Sequence, residues 1–77
     1  MSKISIEQFS NRFHLDLETT DKFDYDYLLN DIDEFDSMGK ITIGLLIEEL
    51  FGFEIEYEEL NEEHTIKSLY NLCINKL

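Results

Sequence analysis

Proline and tryptophan are absent from this chain, glycine occurs three times and cysteine once, at position 73. With no proline and no Gly/Ser-rich stretch, nothing in the composition divides the 77 residues by a linker. One cysteine cannot form an internal bridge, so a disulfide framework is excluded. Basic residues are scarce, six against eighteen acidic ones, and the formal net charge is -12. Such a field repels phosphate backbones and anionic lipid surfaces, so neither nucleic acid nor membrane is the expected partner. No wholly apolar run exceeds residues 45–47, far short of the roughly 20 residues that cross a bilayer. The N-terminus lacks the basic-then-apolar order of a signal peptide, which makes the cytoplasm the expected compartment. No period of 20 to 50 residues repeats.

What is present is apolar bulk. Six Phe and four Tyr, with many Ile and Leu, supply the area that disordered acidic segments lack. The chain therefore reads as one folded domain over residues 1–77, expected as a monomer. A domain this short buries only about 60% of the surface that its unfolded chain exposes. That leaves little interior for an enclosed active site.

Periodicity predicts an all-α fold of three main helices and one short one. Ser5 and Gln8 have capping-box spacing, and Ile4 and Phe9 that of a hydrophobic staple, so a first helix should run to about Phe13 or His14. Over residues 15–35 the pattern weakens. Thr19, Thr20, Asp21, Asp24, Asp26, Asn30, Asp31 and Asp33 favour turns. Phe23, Tyr25, Tyr27, Leu28, Leu29, Ile32 and Phe35 should nevertheless fold this long loop over the core, with room for one short helical turn. Asp36-Ser37 then opens the strongest helix, carrying Met38, Ile41, Ile43, Leu45, Leu46, Ile47, Leu50 and Phe51 and stopping at Gly52. Apolar on more than one stripe, it should be central and packed on more than one side. Gly44 inside it suggests a close neighbour. Phe53-Glu54-Ile55-Glu56-Tyr57 alternates like a strand but has no partner run, so it reads as a connector. A short helix follows at about residues 57–60. Thr65 caps the last helix, whose face is Ile66, Leu69, Cys73 and Leu77, with Tyr70 and Ile74 beside it.

The sharpest chemical feature is Glu34-Phe35-Asp36-Ser37-Met38-Gly39-Lys40, a serine at a helix start after a long acidic loop. In one reading Ser37 or Asp36 only caps the helix, which contributes about 1 kcal/mol. In the other, the N–H groups and positive dipole end of the helix suit a phosphate joined to the serine oxygen. The two are compatible. Rival chemistries are poorly supplied. His14 and His64 are isolated, a Ser-His-Asp triad would lack a pocket and an oxyanion hole, and Asp21, Asp24, Asp26, Asp31 and Asp33 lack calcium-loop spacing. Cys73 lies on an apolar helix face, where a thiol acts as a small hydrophobe.

Taken in order, these features resemble the acyl carrier protein family, including the related peptidyl and D-alanyl carrier domains, over nearly the whole chain. A short first helix, the Leu28-Leu29 anchor, Asp36-Ser37-Met38 where the family usually has Asp-Ser-Leu, Leu50-Phe51-Gly52, Phe53-Glu54-Ile55, Tyr57-Glu58-Glu59-Leu60 and Thr65-Ile66 occur in sequence. The resemblance implies a small four-helix bundle and a non-catalytic carrier. In that carrier Ser37 receives 4'-phosphopantetheine from coenzyme A through a phosphopantetheinyl transferase that recognises Asp36. The thiol of the arm would hold acyl or aminoacyl groups as thioesters for loading enzymes and downstream acyltransferases or synthases of fatty acid, lipid or specialised biosynthesis. Met38, Lys40, Glu48, Glu49, Glu54, Glu56, Glu58 and Glu59 would meet the basic docking surfaces of those enzymes. The pattern departs at Gly39-Lys40, where fatty-acid carriers usually have an acidic residue, and is more similar there to aminoacyl and specialised carriers. From charge alone, the alternative is an acidic helical adaptor or inhibitor of a basic protein, with no covalent arm.

Overall fold

The computed structural model describes residues 4–19 and 24–76; Thr20, Asp21, Phe23 and Leu77, named above, lie outside them. Among the described residues the chain forms four α-helices and no strand: α1 (Ile6–Leu17), α2 (Ser37–Phe51), α3 (Tyr57–Leu60) and α4 (Ile66–Asn75), with a single 3₁₀ turn at Leu29–Asp31 in the long loop.

The caps explain where the helices start. Ser5 Oγ accepts from the Gln8 N–H at 3.1 Å, and the Gln8 side chain accepts from the Ser5 N–H at 3.0 Å, which satisfies two orphan donors together. Thr65 and Ser68 form the equivalent box at α4, at 3.0 and 2.8 Å. At the other end α1 overruns the expected stop. Leu17 continues the i, i+4 series of Phe9 and Phe13 and is buried, so the helix holds one more turn and ends at Glu18 with φ 57°. Gly52, at φ 81°, closes α2 where expected.

The core joins Phe9, Phe13 and Leu17 of α1 to Ile43, Leu46, Ile47 and Phe51 of α2 and Ile66, Leu69 and Cys73 of α4. Each fully buried Phe, Leu or Ile contributes roughly 1.5–3 kcal/mol. Phe9 is the aromatic hub, its ring centroid 5.9 Å from Phe51 and 6.1 Å from Tyr70. The Tyr70 hydroxyl donates to the Ile4 carbonyl and ties the start of the chain to α4. Burial pushes the Cys73 thiol from its usual 9.0 up to about 12.

Three apolar expectations change. The long loop is anchored by Leu29, Ile32 and Phe35, all buried, whereas Tyr25, Tyr27 and Leu28 are exposed. The backbone explains this, because Leu28 pairs as an isolated bridge with Thr65 and the Leu29 N–H donates to the His64 carbonyl at 2.8 Å. Leu28 is extended while Leu29 opens the 3₁₀ turn, and of the two only Leu29 enters the core. Secondly, α2 packs against α1 and α3, but Met38, Ile41 and Leu45 are 78%, 57% and 63% exposed. A second apolar stripe of this helix is bare. Thirdly, Leu60 of α3 stands 3.5 Å from where a Gly44 Cβ would lie, an ordinary contact, so the close approach expected at Gly44 occurs elsewhere.

Candidate functional site

That close approach is at Gly39. A Cβ there would lie 2.0 Å from the Glu34 carbonyl oxygen and 3.2 Å from Leu17 Cδ2. Only a residue without a side chain lets the loop close onto the first turn of α2. The loop reaches this point through a series of pinned turns. The Ile32 N–H donates to Leu29 and the Phe35 N–H to Ile32, both at 3.0 Å. The Phe35 ring is buried with its centroid 5.7 Å from that of Phe13.

Within this frame the cap falls to Asp36, not to Ser37. Asp36 has extended backbone, and its Oδ1 accepts from the Gly39 N–H at 2.9 Å. Ser37 is the first helical residue and is exposed. Its hydroxyl takes no part in the cap, so of the two caps that the sequence allows, Ser37 or Asp36, the structure has Asp36. Neither histidine serves it. His14 Nδ1 lies 2.8 Å from the Ser10 carbonyl, and His64 bridges the Glu59 carbonyl at 2.7 Å and Ser68 Oγ at 3.2 Å. Among the described residues no group of three His, Cys, Asp or Glu could hold a metal ion, and no helix is long and apolar enough to cross a membrane.

The bare stripe Met38–Ile41–Leu45 starts beside Ser37 and leads to a shallow groove between α2 and α3. The groove has a volume of about 190 Å³ and is walled by Ile41, Gly44, Leu45, Ile55, Tyr57 and Leu60, with Lys40, Glu48 and Glu54 at its edges. Of the residues expected to meet a partner, Met38, Glu48, Glu49, Glu54, Glu56 and Glu58 are exposed. Glu49 is engaged by Arg12 of α1 at 2.8 Å, and Glu59 by Lys76 at 3.0 Å. Through the Glu49 hydrogen bond first, and Asp16 as well, the Arg12 pKa is raised. Lys40 is half-buried, and its Nζ donates to Asn61 Oδ1 at 2.7 Å and lies 5.7 Å from the Phe35 ring centroid. Ile41 and Leu45 belong to this surface although the sequence suggests core. Their spacing from Met38, three and seven residues, was the available signal.

In comparisons with known proteins no family model matches the chain, and no curated protein or solved structure is significantly similar to it.

Proposed function

We propose that the chain is a carrier protein whose Ser37 is esterified with 4'-phosphopantetheine by a separate transferase. The single observation that carries this reading is the division of roles at the start of α2. Asp36 holds the cap and Ser37 offers a free hydroxyl, so esterifying Ser37 removes no hydrogen bond from the helix. In the transfer a Ser37 Oγ–phosphorus bond forms and the pyrophosphate bond of coenzyme A breaks. Adenosine 3',5'-bisphosphate leaves, and the hydroxyl proton passes to a base of the transferase. The bound arm supplies a thiol on which acyl or aminoacyl groups travel as thioesters.

The residues present suit that group. Ser37 is exposed, and beside it the stripe of Met38, Ile41 and Leu45 offers apolar area on α2, which also carries exposed Glu48, while exposed Glu56 and Glu58 stand at the start of α3. An apolar centre with an acidic rim suits a basic enzyme surface with an apolar centre of its own. A tethered arm raises the effective concentration of its cargo at a docked enzyme, so weak docking is sufficient. The pathway that the sequence resemblance implies is fatty acid, lipid or specialised biosynthesis.

The test is intact mass spectrometry after incubation with coenzyme A and a promiscuous phosphopantetheinyl transferase. One phosphopantetheine is expected on the wild type and none on Ser37→Ala. An unmodified wild type, under conditions that modify a control carrier, refutes the proposal. The same acidic, apolar-striped face also suits an adaptor without an arm, and that reading requires Ser37→Ala to keep full partner binding and activity.

A further inference from the structure

Among the described residues, Lys40 is placed unlike any other cation of the chain. Arg12 and Lys76 pair with carboxylates, whereas Lys40 spends its ammonium on a neutral amide, Asn61 Oδ1, at the C-terminal cap of α3. It stands in the first turn of α2, where the helix dipole disfavours a positive charge. Helix stability does not account for it.

Its position across the groove does. Helix α3 has four residues, no side-chain cap at its start and one buried side chain, Leu60. Its other polar ties, His64 to the Glu59 carbonyl and Lys76 to the Glu59 carboxylate, lead to the α3–α4 side. Lys40–Asn61 is the side-chain hydrogen bond that joins α3 to α2. It does so in a groove whose lining also holds the carboxylates of Glu48 and Glu54. Lys40 is also the one cation in the groove lining.

We propose that Lys40 is a latch between α2 and α3 that an anion on Ser37 releases. Residues three apart on a helix are neighbours, with Cβ atoms about 5–6 Å apart, so a phosphate ester on Ser37 lies within reach of the Lys40 ammonium. A charged oxygen binds an ammonium more strongly than a neutral amide oxygen does. Once Lys40 turns to the phosphate, Asn61 is released, α3 loses its polar tie to α2, and the groove walled by Ile55, Tyr57 and Leu60 can widen. Partners that dock on this face would then distinguish the modified carrier from the unmodified one by shape as well as by the arm. The latch stands on geometry alone; its trigger rests on the proposed modification of Ser37.

Amide hydrogen exchange at Leu60 and Asn61, whose N–H groups close α3 onto Glu56 and Tyr57, reads the latch directly. The proteins to compare are the full chain and Lys40→Met, each made with serine or with phosphoserine at position 37 by chemical synthesis, so that no transferase is involved. Lys40→Met should speed exchange at both amides about tenfold, the scale of one lost charged hydrogen bond, and leave α1 and α4 unchanged. Phosphoserine should do the same to the wild type and add nothing to Lys40→Met. Unchanged exchange in Lys40→Met sinks the latch, as does acceleration spread equally over all helices. If only the phosphoserine effect is missing, the trigger is overturned and Lys40 is a static brace. None of these outcomes bears on whether a transferase modifies Ser37, which the mass measurement decides separately.

Discussion

Gly39 and Gly44 lie five residues apart in one helix, and Gly→Ala at the two should change stability in opposite directions. Helix propensity alone favours Ala by about 1 kcal/mol at either position. At Gly44 nothing opposes it, because the new methyl meets only Leu60 Cδ1 at 3.5 Å. Gly44→Ala should therefore stabilise by about 0.5–1 kcal/mol. At Gly39 the methyl would lie 2.0 Å from the Glu34 carbonyl oxygen and 3.1 Å from its carbon, and backbone held on both sides cannot rotate away. Either the loop lifts, drawing Phe35 from its contact with Phe13, or the first turn distorts and weakens the bond from the Gly39 N–H to Asp36. Overpacking costs about 1–3 kcal/mol and a lost cap about 1 kcal/mol, so after the propensity gain a net loss of about 2 kcal/mol is expected. Urea unfolding followed by circular dichroism measures both, and in a domain of this size each kcal/mol moves the melting temperature by roughly 4–8 °C. Gly39→Ala as stable as Gly44→Ala would refute the reasoning, since it would mean that the loop does not close on α2.

Two further outcomes follow from burial. Leu29→Ala, at a fully buried anchor, should cost about 2–5 kcal/mol, whereas Leu28→Ala, 41% exposed, should stay within about 1 kcal/mol; equal losses in urea titrations would place the anchor wrongly. Cys73 should resist a thiol reagent at pH 8 in the native unmodified protein and react once unfolded, so any fast-reacting thiol that appears after transferase treatment belongs to the arm. Its folded pKa of about 12 exceeds the ordinary 9.0, so the folded state keeps its proton longer. Stability from this group is complete below about pH 9 and is lost as pH rises toward 12, at up to about 1.4 kcal/mol per pH unit. Cys73→Ala should flatten that slope, and an unchanged slope assigns it to other groups.

The Ser5–Gln8 capping box, the Thr65 cap, the Gly52 stop and the short α3 were legible in the sequence because each depends on residues within a few positions of one another. The spacing of Phe9, Phe13 and Leu17 carries the true end of α1, but the turn-forming residues just beyond it point to the earlier stop at Phe13 or His14. Other features depend on where distant segments pass. Gly39 is required by a carbonyl five residues back, brought close only by the path of the loop, and nothing in its neighbours announces that contact. The apolar pattern of α2 gives two stripes and no means to choose between them. The choice is made by the shared core with α1 and α4, which buries Ile43, Leu46 and Ile47 and leaves Met38, Ile41 and Leu45 bare. Similarly, Asp36 and Ser37 are both good caps, and only the extended backbone at Asp36 decides between them.

That decision has a mechanical consequence. Had Ser37 been the cap, an ester on its oxygen would have removed the acceptor for an N–H of the first turn, costing about 1 kcal/mol in a domain with few kcal/mol to spare. With Asp36 as the cap, Gly39 admitting the Glu34 carbonyl, and Leu29, Ile32 and Phe35 pinning the loop, the backbone on both sides of Ser37 is fixed while its hydroxyl is free. A protein recognised by other enzymes at one exposed atom needs that combination, because ordering the segment at each encounter would weaken every docking event. The same reasoning makes α3 the element most able to respond. It is short, has no side-chain cap at its start, buries one side chain, Leu60, and is tied to α2 by the Lys40–Asn61 hydrogen bond. A change of charge at Ser37 therefore meets a rigid backbone on its own helix and a weakly held neighbour across the groove.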